Sequence, residues 1–110
     1  MENRQLARLL GALSFEERLM IIGGLISAGT EGLNDRELAD ITGMSPSTVY
    51  IHVDYMNEAG LISSRATNAG KIHTANLDIL EDLFTFLNEN YGAGLKEVQR
   101  NRDLKLILAN

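Results

Sequence analysis

Apolar residues recur along this chain at helical spacing, and the breaks between the runs carry residues that cap or turn the backbone. Leu6, Leu9, Leu10 and Leu13 fall three and four apart, predicting a first helix with one apolar face that ends or bends at Gly11. Ser14-Phe15-Glu16-Glu17 has the form of a capping box, in which a serine hydroxyl and a glutamate carboxylate each accept a free amide. A second helix is expected from there through Leu19, Met20, Ile22, Leu25 and Ile26 to about Ala28, with Gly29 ending it in a left-handed turn. Being apolar on more than one side, it belongs at the centre of the fold.

Asn34-Asp35-Arg36-Glu37 repeats the capping signature ahead of Leu38, Ala39 and Ile41, so a short third helix should run to Gly43. Ser45-Pro46 then opens a fourth, because serine suits the N-cap and proline at the first helical position sacrifices no hydrogen bond. It should end at Gly60. Leu61 to Ala66 and Lys71 to Ala75 flank Thr67-Asn68-Ala69-Gly70, whose asparagine and glycine predict the turn of a β-hairpin. From Asn76 to about Tyr91 a fifth helix is expected. Leu80, Phe84, Leu87 and Tyr91 form a heptad-like stripe on it beside a second stripe of Ile79, Leu83 and Phe86, so one face can pack on the domain while the other needs a partner. Beyond Gly92 and Gly94 the pattern is divided. Leu95, Val98 and Arg102 fit a helix, whereas Leu104, Leu106 and Leu108 alternate like a strand.

With 110 residues, 45% apolar and 23% charged, the chain has the size and balance of one globular domain. Residues 1–92 read as that domain and residues 93–110 as a basic tail. The longest apolar run, Leu19 to Ile26, is far short of the roughly 20 residues that span a bilayer. No membrane association and no secretory leader are expected, so the cytoplasm is the default location. The absence of cysteine excludes disulfides, thiolate metal sites and thiol switches. A net charge of −5 is the wrong sign for gripping phosphate with a broad positive surface. The tail holds four basic and two acidic residues and the body six basic against thirteen acidic, so DNA contact by the body must use a few placed cations and helix ends.

The third and fourth helices and the turn Thr42-Gly43-Met44-Ser45 have the form of a helix-turn-helix. Ala39 leaves room for the crossing, Gly43 can take a positive φ, and Val49, Val53 and Met56 anchor the second helix. The opposite face carries Ser47, Thr48, Tyr50, Ile51 and Asp54, and would enter the major groove. Ala12-Leu13, Arg18-Leu19, Ile21, Glu37-Leu38-Ala39, Ser45 to Val49, His52 and Glu58-Ala59-Gly60-Leu61-Ile62 resemble the ArsR family of small repressors over about residues 6–91. The resemblance implies a mainly α winged helix-turn-helix of order α-α-α-α-β-β-α. It further implies a homodimer built from the first and last helices, and repression released by a ligand or chemical signal. Ile51 and Asp54 depart from the family pattern, which commonly has a strongly polar residue before the histidine and often a basic one after it. The metal-sensing members use cysteines, or histidines and carboxylates on the last helix. Here cysteine is absent and the last helix has no histidine, so no metal or other cofactor is expected.

The first reading is therefore a dimeric, sequence-specific transcriptional regulator of double-stranded DNA, with a roughly palindromic operator. Its DNA-binding candidates are Arg36, Ser45, Ser47, Thr48, Tyr50, Ile51, His52, Arg65 and Lys71, against the plainer view of a solvated helix face and edge. Ile51 suits either a thymine methyl or partial burial. Four to six phosphate contacts per dimer would give log K a slope of roughly −4 to −5 against log salt. Leu6, Leu9, Leu10, Leu80, Phe84, Leu87 and Tyr91 are the dimer candidates. The alternative is an acidic winged-helix adaptor, antirepressor or DNA mimic that docks a protein and leaves DNA alone. A third reading places a small organic effector between Phe84, Phe86, Tyr91 and Tyr55 at the dimer seam, against ordinary core packing. His52 and His73 have no ligand-spaced partners, and Asp78, Glu81 and Asp82 suit the start of a helix. Gly70-Lys71 lacks the rest of a phosphate loop and no catalytic constellation is evident in the sequence, so no enzymatic activity is expected.

Overall fold

The computed structural model describes residues 1–90. Its elements are α1 (Asn3–Ala12), α2 (Glu16–Ala28), α3 (Asp35–Thr42), α4 (Pro46–Glu58), the antiparallel strands β1 (Ile62–Thr67) and β2 (Gly70–Ala75), and helix α5 over residues 77–90. This is a winged helix-turn-helix. Tyr91 and the tail lie outside the described residues.

The helix-turn-helix forms by the local devices its sequence carries. Asn34 Oδ1 accepts from the Glu37 amide at 2.8 Å while the Asn34 amide donates to Glu37 Oε1 at 3.1 Å, a complete capping box. Gly43 closes α3 at φ 75°, ψ 5°, a conformation that a Cβ would penalise. Ser45 Oγ then accepts from the Thr48 amide at 3.3 Å and Pro46 takes the first turn of α4. Asn76 does two jobs at the start of α5, accepting from the Ile79 amide and donating to the Gly60 carbonyl.

The opening of α2 differs from expectation. Phe15 sits at its N-cap without a side-chain bond, and Ser14 Oγ instead donates to Gly11 O at 2.6 Å. The serine thus closes α1 rather than opening α2. α1 runs through Gly11 to Ala12, since an exposed glycine costs a helix only about 1 kcal/mol. After α2 the chain makes an unanticipated 3₁₀ turn, Gly29–Glu31. It then crosses β2 at Gly32, where a Cβ would lie 2.3 Å from His73 O. Leu33 pairs with His73 through both backbone bonds, 3.0 and 2.8 Å, adding one rung to the two-stranded sheet.

One core joins these parts. Ile21 and Leu25 of α2, Leu38 of α3, Val49, Val53 and Met56 of α4, and Leu61 are sealed in it with Leu9 and Leu80 from the outer helices. Burying each such side chain contributes about 1.5–3 kcal/mol before the entropy of ordering is subtracted. The central place expected for α2 follows. The expected dimer stripe, however, is divided: Leu6, Leu9 and Leu80 are only 8%, 1% and 5% exposed within the single subunit. Leu10 and Phe84 remain bare at 45% and 65%, and Leu87 is half-buried. Spacing alone could not tell which of two neighbouring stripes the subunit would keep for itself. Among the described residues no helix is long and apolar enough to cross a membrane.

Candidate nucleic-acid interface

The orientation of α4 follows from its apolar spacing. Val49, Val53 and Met56 fall on one side and are at most 3% exposed, which turns Ser47, Tyr50, Ile51 and Asp54 to the other. Those four are spaced i, i+3, i+4 and i+7, so they form one continuous outward stripe. Tyr50 and Ile51 are 57% and 65% exposed, and no intramolecular packing explains them. Of the two readings left open for Ile51, partial burial is removed. Ser45, at the start of the helix, links its hydroxyl to Ser47 Oγ at 3.1 Å and Thr48 Oγ1 at 2.9 Å, making a small polar cluster at the N-terminus. Arg36 is exposed on α3.

His52 belongs to a different face. Its Nδ1 accepts from Arg18 Nε at 3.0 Å, so the ring hydrogen lies on Nε2. Arg18, 7% exposed, also donates to Ala12 O and is stacked between Phe15 and Tyr55, with its guanidinium carbon 4.4 and 4.2 Å from the two ring centres. This cation needs no carboxylate partner, because two aromatic faces and two acceptors replace its water. The cluster fastens α4 to α2 and to the end of α1. Residue types at 15, 18, 52 and 55 gave no hint of such a stack, since they come from two helices far apart in sequence.

The hairpin register separates Arg65 and Lys71, both candidates for DNA contact. Arg65 pairs with Ile72 and Lys71 with Ala66, so with side chains alternating along each strand the two point to opposite faces. Lys71 shares its face with Ser64 and His73 and borders a hollow of about 50 Å³ with Tyr50, Asp54 and Asn57 of α4. Arg65 turns to the far side and donates to the carbonyls of Thr30 and Glu31 at 3.4 and 3.2 Å. Its guanidinium ties the hairpin to the 3₁₀ turn.

Beneath Lys71 lies a chain of hydrogen bonds that the sequence did not reveal. Asn57 Nδ2 donates to Ser64 Oγ at 3.0 Å, Ser64 Oγ lies 2.6 Å from His73 Nδ1, and His73 Nε2 lies 2.6 Å from Asp35 Oδ1. The imidazole N–H at Nε2 points at the carboxylate, and Ser64 Oγ, with one hydrogen and two lone pairs, can bond both Asn57 and Nδ1. A serine, a histidine and an aspartate are thus brought together from three elements. Their setting is that of a joint. His73 is 3% exposed, and the adjoining hollow is far below the roughly 300 Å³ of an ordinary ligand pocket. The chain links α3, α4 and both strands, so helix and wing are held as one body. Within the single subunit Tyr55 and Phe86 line different hollows, the first with Arg8, Glu58 and Ala59 and the second with Met1 and Gln5.

An anchored helix behind a tight glycine turn, braced by a two-stranded wing, defines a winged helix-turn-helix of the kind found in transcription proteins. The chain belongs to the family described as the B-block binding subunit of TFIIIC, whose model matches residues 17–84. None of the curated proteins compared with it matches. Among solved structures it is similar to a predicted DNA-binding transcriptional regulator from E. coli, at 32% identity and a TM-score of 0.61 over 77% of this chain and 88% of that one. It is also similar to NolR from Sinorhizobium fredii, at 25% identity and a TM-score of 0.62 over 81% and 86%. An ArsR-like transcriptional regulator from a Rhodococcus species shares the fold at 23% identity, with a TM-score of 0.66 over 94% and 92%.

Proposed function

We propose that this chain is an ArsR-like repressor that binds double-stranded DNA as a homodimer and reads a roughly palindromic operator in the cytoplasm without catalysing a reaction. The observation that carries this reading is the outward stripe Ser47, Tyr50, Ile51 and Asp54, held clear of the core by Val49, Val53 and Met56. Tyrosine and isoleucine more than half exposed at the middle of an anchored helix are open to another molecule. The E. coli relative, a predicted DNA-binding transcriptional regulator by its name, supports regulation of transcription.

In this reading residues 1–92 form the regulatory domain, the tail adds positive charge, and the bare Leu10 and Phe84 meet their counterparts in a second copy. Ser45, Ser47 and Thr48 approach the backbone at the helix N-terminus, while Lys71 and Arg36 supply the cations. Arg65 and His52, engaged by carbonyls and by Arg18, act by holding the wing and the helix in place. Two cations per subunit give about four phosphate contacts per dimer, so log K should fall against log salt with a slope of roughly −3 to −4. Fluorescence polarisation with duplexes from the region flanking its own gene tests this. Saturable binding with that slope, surviving competitor DNA, is the expected result. The negative Asp54 on the same stripe favours one second reading, docking of a basic protein surface, which predicts no retention of any duplex even at low salt.

A further inference from the structure

We propose that Asp54 and Ile51 set the base preference of each half-site, Asp54 by accepting from the amino group of a cytosine and Ile51 by packing on the methyl group of a nearby thymine. The inference rests on the DNA-binding reading above and adds what the helix reads.

Three observations lead to it. First, α4 contains no lysine or arginine, so it lacks the side chains that make the commonest specific contact, a bidentate pair with guanine O6 and N7. Second, Asp54 is exposed on the outward stripe and, among the described residues, forms no ion pair. Third, Ile51 is the most exposed apolar side chain of α4 and lies one turn from Asp54 on the same stripe.

An ionised carboxylate can only accept hydrogen bonds. In the major groove guanine presents two acceptors and thymine one, and both repel it. Adenine offers its N6 amino group beside the N7 acceptor, so one carboxylate oxygen meets a lone pair. Cytosine alone offers its amino group with no acceptor of its own on that edge. The expected order is therefore cytosine, then adenine, with guanine and thymine excluded. Ile51 has no polar atom to pair, and the thymine methyl is the apolar feature of the groove. Residues three apart are separated by about 4.5 Å along a helix, so the two bases should be adjacent or nearly so. A bare carboxylate facing phosphate also weakens binding to arbitrary sequence, which widens the gap between operator and bulk DNA.

The test is selection of duplexes with a randomised core by the full chain, repeated with Asp54→Asn and Ile51→Ala. Both positions are exposed, so both variants should keep the wild-type melting temperature. Wild type should enrich one cytosine per half-site with a thymine beside it, and replacing that cytosine should weaken binding about tenfold or more. Asp54→Asn should move the preference to adenine, because an amide can pair with both N6 and N7. Replacing the thymine by uracil, which lacks only the methyl, should weaken wild type several-fold and leave Ile51→Ala unaffected. An A·T pair selected by wild type at the Asp54 position would overturn the proposal, as would identical selected sequences for wild type and Asp54→Asn, or equal binding of thymine and uracil duplexes by wild type. DNA retained without enrichment would overturn the base preference alone, whereas a pool that remains entirely unbound would overturn DNA binding itself.

Discussion

Between Asn34 and Gly60 each change of direction is specified by residues a few positions away: a reciprocal asparagine and glutamate, a glycine at positive φ, a serine followed by proline. In α1 and α5 the apolar residues do not settle their own use. Leu9 and Leu80 enter the core, while Leu10 and Phe84, each within four positions of one of them, stay bare. The first region carries its instructions locally. The second is completed only by long-range packing and, in the proposed dimer, by another copy of the chain.

Substitutions can break this contrast. Leu38→Ala removes a fully buried side chain where α3 meets the core, and should cost about 2–5 kcal/mol in urea unfolding. Gly32→Ala forces a Cβ at positive φ toward His73 O and neighbouring side chains, adding about 1–2 kcal/mol of backbone cost to about 1–3 kcal/mol of overpacking. Its thermal midpoint should fall accordingly. Asn34→Ala deletes the cap and should cost about 1 kcal/mol, small enough to leave a folded protein with a frayed α3 start visible by amide exchange. At the outer helices Leu10→Ser with Phe84→Ser should change the stability of the isolated subunit by less than about 0.5 kcal/mol, as substitutions of exposed residues do. Sedimentation should nonetheless shift toward the monomer. A stability loss of several kcal/mol without change in mass would show that the two residues serve the subunit alone.

The same contrast explains what was legible in the sequence. Order of elements, the short α3, the Gly43 turn, the Ser45-Pro46 start and the hairpin could be read because each is a local device. The outward stripe of α4 was legible for the same reason, from the spacing of Val49, Val53 and Met56. Ser14 misled because a hydroxyl at a junction can serve either helix, and its bond to Gly11 O depends on how α1 ends. The sides to which Arg65 and Lys71 point were not legible, because strand register, not sequence distance, sets them. Arg18 with Phe15, Tyr55 and His52, and Asp35 with His73, Ser64 and Asn57, are assembled across elements. No periodicity announces them.

Hydrogen–deuterium exchange of the full chain with and without a bound operator duplex tests most directly whether the bare side of α4 is the surface that meets DNA. Slowed exchange concentrated in residues 45–54 and at the hairpin near Lys71, with the α1 surface around Leu10 unchanged, is the expected result. Protection confined to other surfaces, with residues 45–54 exchanging as in the free protein while the duplex is bound, would contradict it.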